Sequence, residues 1–193
     1  IWETPLNWSS GAAPTIADDV TIGSTAQPIA IHQLDAVNSV QSAAQISVLS
    51  PGGLMVATTA ALSSNMSLSG GMMTGGTYTA SGGAILVVDS GVLDGVTLGM
   101  NATISSGAAP TVTNGLTLAG GAVITITSEG TLTNLVFQGT QTLGGTGEVV
   151  FSGNSSASNA ITAKGGGTVP TAAVLTIGPS ITVHGTASGS IVD

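Results

Sequence analysis

Short runs in which apolar residues alternate with Thr or Ser recur along this chain, separated by Gly, Ser, Asn and Asp. Val20-Thr21-Ile22, Ile46-Ser47-Val48, Ile85 to Val88, Val123 to Thr127 and Val149 to Phe151 are examples. A period of two marks strands with one buried face, and the residues between the runs are those that turns favour. No long stretch carries the 3.6-residue apolar spacing of an amphipathic helix. The pattern predicts an all-β chain of many short strands.

The runs also repeat. Leu93-Asp94-Gly95-Val96-Thr97-Leu98 is matched 20 residues later by Thr113-Asn114-Gly115-Leu116-Thr117-Leu118, and after 20 more by Thr133-Asn134-Leu135-Val136-Phe137. Asn101-Ala102-Thr103-Ile104 returns as Gly121-Ala122-Val123-Ile124, and Val92, Val112 and Leu132 form a third series. Ile46-Ser47-Val48 and Met66-Ser67-Leu68 carry the same step towards the N-terminus. Three series with one period predict a β-solenoid of about 20 residues and three short strands per coil. Alternation then turns Val96, Leu98, Leu116, Leu118, Leu135 and Phe137 inward, and Thr97, Thr117 and Val136 outward. Asp94, Asn114 and Asn134 fall at one turn position, where a stacked polar ladder is expected.

The whole chain, 1–193, reads as one domain with unlike ends. Residues 1–24 hold both tryptophans, Trp2 and Trp8, and are expected to cap the first coil, because an uncapped solenoid exposes a sheet edge and its core. Residues 153–173 are the weakest repeat and read as an irregular coil or loop. Order returns at Leu175-Thr176-Ile177 and Ile181-Thr182-Val183, after which no cap is evident.

Composition narrows the function. Hydrophobic residues make up 42% of the chain, and the mean hydropathy of +0.52 predicts a buried core rather than disorder. Lys164 is the one basic residue, and the formal net charge is -8. A single lysine cannot neutralise a phosphate backbone, so nucleic acid is not an expected partner. A basic membrane-surface helix is excluded for the same reason. No apolar run is long enough for a transmembrane segment, and no charged-then-apolar signal segment opens the chain. Scarce lysine with abundant Thr, Ser, Gly and Asn fits a secreted protein.

Candidate chemistry is sparse. Asp18-Asp19 is the only adjacent carboxylate pair, but neighbours on a strand face opposite ways, so a solvated turn is the expected role. His32 and His184 are isolated, and no HExxH, GxSxG or cysteine nucleophile occurs. Gly144-Gly145-Thr146-Gly147-Glu148 has the look of a calcium-binding glycine-rich repeat, but it lacks the aspartate and occurs once. No catalytic, cofactor or metal residue is therefore expected, and the chain reads as a non-enzyme. Trp2, Trp8 and Tyr78 are the candidates for stacking on a surface glycan. Cap packing is the plainer role for the tryptophans, and Tyr78 is expected to lie outward beside Thr97 and Thr117. An outward threonine array raises ice binding as a minor alternative, with Val136 interrupting the array.

Asn7-Trp8-Ser9-Ser10-Gly11, Pro14 and Asp18-Asp19-Val20-Thr21-Ile22 resemble the opening of bacterial β-strand-repeat surface proteins. Residues 130–134, 139–147 and 175–185 resemble their repeats. The wider group is similar to autotransporter passengers and filamentous-haemagglutinin-like proteins. The resemblance implies a right-handed parallel β-helix, export to the cell surface, and roles in adhesion, biofilm or fibre formation. No translocator barrel follows in this sequence and no secretion signature precedes, so the resemblance leaves the export route open. The expected function is that of a structural and adhesive extracellular protein, a homo-oligomer through the solenoid ends. A carbohydrate-binding or carbohydrate-active module is the alternative.

Overall fold

The computed structural model of the chain describes residues 1–154, 156–165 and 172–192. Among the described residues eighteen strands join in one sheet, and every pairing is parallel. The arrangement is compatible with a β-solenoid. The strands stack in three columns.

The first column holds β1 (Asp19–Ile22), β4 (Ser39–Ser42), β7 (Thr59–Leu62) and β9 (Thr77–Ala80). It continues through parts of β10 (Leu86–Gly99), β12 (Thr111–Ser128) and β14 (Gln141–Gly153) to β16 (Leu175–Ile177). The second column begins with β2 (Ile29–Ile31), β5 (Ile46–Leu49) and β8 (Met66–Thr74). It runs on through β10, β11 (Ala102–Ile104), β12 and β14 to β17 (Ser180–Gly185). The third starts with β3 (Leu34–Val37) and β6 (Gly53–Val56) and passes through β8, β10 and β12. It ends in β13 (Thr133–Gln138), β15 (Asn159–Lys164) and β18 (Gly189–Val192).

Long strands serve more than one column by bending at glycine. In β10 the chain passes from the second column to the third at Gly91, whose φ is +117°. A Cβ there would fall on the carbonyl oxygen of Gly71, so only glycine allows both the bend and the approach.

The core is the inward row of each column. Met66, Leu86, Ala102, Ile124 and Val149 follow one another in the second column, and Leu54, Met73, Leu93, Val112 and Phe137 in the third. Each is buried, and burial of such a side chain stabilises by about 1.5–3 kcal/mol. Val96, Leu98, Leu116, Leu118, Leu135 and Phe137 point inward.

Several expectations of register are corrected. The 20-residue step holds from Val96 to Leu116, but Leu116 then pairs with Leu143, 27 residues on. Thr133 to Phe137 lies in the third column, where Val136 and Phe137 pair with Thr111 and Val112. Ala102 pairs with Ile124, an offset of 22 rather than 20. Val92 pairs with Thr111 rather than Val112, and Leu132 is 56% exposed outside any strand. All three columns alternate in and out with the same period, so a matched pattern does not say which column a strand joins.

Within 153–173, residues Asn159–Lys164 form the regular strand β15, paired with β13 and β18. Residues 155 and 166–171 of that segment lie outside the described residues. At the N-terminal end Trp2 is fully buried, and its backbone N–H donates to the Ala30 carbonyl at 2.9 Å. Trp8 Nε1 donates to the Trp2 carbonyl at 2.6 Å, and the two rings meet edge to face with centroids 5.0 Å apart.

Candidate functional site

The aromatic candidates are not brought together on the surface. Tyr78 is the clearest correction: it pairs with Ala60 and Leu98 in the inward row and is 0% exposed. Its neighbours Thr77 and Thr79 take the outward positions, so counting from Thr97 placed Tyr78 one residue out of phase. Its hydroxyl has no hydrogen-bond partner, and burial pushes its pKa far above the usual tyrosine value. Trp2 is sealed in the core with its indole N–H unpartnered. Trp8 alone of the three keeps partial exposure.

The turn ladder is partly present. Thr113 Oγ1 donates to Asp94 Oδ1 at 2.8 Å, and Asn114 Nδ2 donates to the same oxygen. Asn114 and Gly115, with φ of +55° and +82°, put one extra residue into this corner. Asn134 does not join the ladder. It sits in the third column, and its Oδ1 accepts from Thr162 Oγ1 at 3.0 Å. Gln141 takes the place expected for it, its Oε1 accepting from Gly115 N at 2.6 Å.

The carboxylates are occupied by local structure. Asp18 Oδ2 accepts from the Thr15 amide and hydroxyl, both at 2.8 Å, which hold its pKa below the usual value. Asp19 Oδ1 accepts from Ser39 Oγ at 2.6 Å and Asn38 Nδ2 at 2.7 Å, with the same effect. Partial burial pushes the Glu3 carboxyl up, but the His32, Glu3 and Gln33 amides together outweigh it and the net shift is downward. Asp35 is different. It occupies the inward position level with Leu54, its Oδ2 is buried without a partner, and burial with the nearby Glu3 charge raises its pKa.

His184 Nε2 lies 3.0 Å from Glu148 Oε2 on the outer side of the second column, both half exposed. The His32 side chain is exposed, and its backbone amide donates to Glu3. Gly145 and Gly147 serve packing: a Cβ on either would fall on the carbonyl oxygen of Leu118 or Ala122. Among the described residues no group of three or more His, Cys, Asp or Glu side chains is placed to hold a metal ion. Nor is any helix among them long and apolar enough to cross a membrane.

The outer side of the first column carries two aligned rows. Thr59, Thr77, Thr97 and Thr117 stand in one row, followed by Gly144. Val136 belongs to another column and does not interrupt it. Thr21, Gln41, Ala61 and Thr79 form the second row, and all four are exposed. Beside that row the corner residues Gly23, Ala43, Ser63 and Ser81 leave a groove of about 400 Å³ crossing β1, β4, β7 and β9. A second cavity of about 580 Å³ shares Thr21, Ile22 and Gly23 with it and is walled by Trp8. No charged side chain lines either one. The sequence held the signal, since 20-residue steps also separate Thr21, Gln41 and Ala61. The short Ala and Gly positions masked it.

Comparisons with known protein families, with curated proteins and with solved structures find no match to this chain.

Proposed function

We propose that this chain is a structural and adhesive surface element, a right-handed parallel β-helix working outside the cell and without catalysis. One observation carries the reading: three columns of parallel strands run from Asp19 to Val192 around one continuous apolar core. Ladder bonds join each strand to its neighbours along the axis, so bending or local opening must break backbone hydrogen bonds and expose core at once. Eight strands stacked ~4.8 Å apart give a short stiff rod on the order of 35 Å tall. Right-handed winding follows from the strong preference of parallel crossover connections for that hand. Three strands and about 20 residues per coil describe the N-terminal half on this reading.

Surface placement rests on the threonine- and glycine-rich, lysine-poor composition and on the likeness of residues 7–22 to bacterial strand-repeat proteins. Association through the ends is part of the proposal. Among the described residues β16, β17 and β18 pair on one side only, and Ile191 and Val192 are 52% and 43% exposed. Low charge lets such surfaces approach without strong repulsion.

Light scattering and small-angle X-ray scattering over a concentration series, with negative-stain electron microscopy, test the reading. A stiff particle that resists proteolysis and associates as concentration rises is expected. A protease-labile, expanded chain would overturn the rod, and dispersed monomers at the highest concentration would overturn self-association.

A further inference from the structure

We propose that the groove along the first column binds an extended, uncharged glycan chain, with Trp8 closing its N-terminal end. The inference rests on the adhesive reading and gives that reading a ligand class and a place.

Shape comes first. The cavities of about 400 and 580 Å³ meet at Thr21, Ile22 and Gly23, so the trough continues from the Trp8 wall to Ser81. Each has a volume typical of ligand sites. The trough crosses four strands of one column, about 14 Å at the strand spacing. That spacing is of the order of one linked sugar ring, so successive rings meet equivalent positions.

Chemistry selects the class. The hydroxyls of Thr21, Thr79, Ser63 and Ser81 and the Gln41 amide edge the groove, and all five residues are exposed. Ala61 and Ala80 supply apolar surface between them. A sugar ring presents the matching alternation of hydroxyl rims and C–H faces. Trp8 adds a flat apolar face that is held in place, because its indole N–H is bonded to the Trp2 carbonyl and its ring is braced edge-on by Trp2.

Other occupants fit less well. A nucleic acid or an acidic polysaccharide needs cationic partners, and no charged side chain lines the trough. A peptide added as a strand needs free backbone donors and acceptors. Here the corner backbone is already paired, with Ala43 N, Ser63 N and Ser81 N donating to the carbonyls of Ile22, Ser42 and Leu62.

Titration calorimetry with maltohexaose, cellohexaose and laminarihexaose tests the site, with a galacturonate hexamer as the charged comparison. Ala61 is exposed midway along the trough, so Ala61→Arg, and Ala61→Gln as the milder variant, obstruct it without entering the core. Thr125→Arg, on the outer side of the second column, is the control. The expected result is binding of at least one neutral hexamer, weakened about tenfold or more by either Ala61 variant and by Trp8→Ala. Thr125→Arg leaves it unchanged. No neutral binding, equal binding of the charged hexamer, or full binding by both Ala61 variants would overturn the proposal. Scattering on the same samples separates this failure from that of the parent reading. A stiff, associating particle that binds no glycan sinks the groove alone, whereas a particle that is not a rod sinks the surface-element reading.

Discussion

Replacing Tyr78 by phenylalanine is expected to stabilise the protein. The ring fills the inward row between Ala60 and Leu98 and is 0% exposed, so losing one oxygen leaves the packing in place. The hydroxyl has no partner, which means that folding strips it of water and returns nothing. An unsatisfied buried polar group costs about 1–3 kcal/mol, so Tyr78→Phe is expected to gain about 1–2 kcal/mol. For a chain of this length that corresponds to a rise in Tm of roughly 2–8 °C. Tyr78→Ala removes the ring as well and is expected to lose about 3–5 kcal/mol. Urea unfolding followed by far-ultraviolet circular dichroism and by the fluorescence of Trp2 and Trp8 measures both, and coincident curves show whether one transition describes the chain. The pH dependence gives a second readout. Because the folded-state pKa is raised, the unfolded chain ionises first, and stability falls as pH rises past about 10. Tyr78→Phe lacks that component. A loss of more than about 0.5 kcal/mol in Tyr78→Phe would refute the reasoning, since the hydroxyl must then have a stabilising partner.

Three further outcomes are expected. Asp35→Asn stabilises the protein at neutral pH, because the native carboxylate is partly buried with one oxygen unpartnered and lies near the Glu3 charge; as its pKa is raised, the gain shrinks as pH falls towards 4, which a pH series of urea midpoints reads directly. Gly145→Ala costs at least about 2 kcal/mol, since the residue has φ of +85° and a Cβ would strike the Leu118 carbonyl oxygen, and thermal unfolding should show the drop. Glu148→Gln changes stability by less than about 0.5 kcal/mol, because the Glu148–His184 pair is half exposed, and a large salt-sensitive loss would show that the pair does more than decorate the surface.

The in–out alternation was legible because burial acts on each strand separately. The facing of Val96, Leu98, Leu116, Leu118, Leu135 and Phe137 needed no knowledge of their partners. Column membership depends instead on how many residues each corner consumes, and corners tolerate insertion without changing the strands they join. The pairing offset grows from 22 at Ile124 to 25 at Phe137 and 27 at Leu143, so Asn134 lies outside the ladder that its Thr-Asn context suggests. Gln141 entered that corner in its place, by a side-chain contact that no spacing encodes. Tyr78 pairs with Leu98 and not with Thr97, so an outward position expected from Thr97 is one residue out of phase. The groove is hard to read because short side chains make it: Gly23, Ala43 and Ala61 fall on 20-residue steps but carry no apolar–polar contrast that marks a face.

The pairing offsets connect fold to function. Ile46 stands 17 residues after its partner Ile29, and Ser39 stands 20 after Asp19. Near the other end Ile177 stands 34 after Leu143, and Ser190 stands 30 after Ala160. Short offsets leave only tight corners between strands, so Gly23, Ala43, Ser63 and Ser81 come into line and the trough stays open. Longer offsets put more residues between paired strands, and corners of unequal length cannot present one side chain per strand at a constant spacing. Any face of this protein that reads a repeating ligand is therefore expected in its N-terminal half.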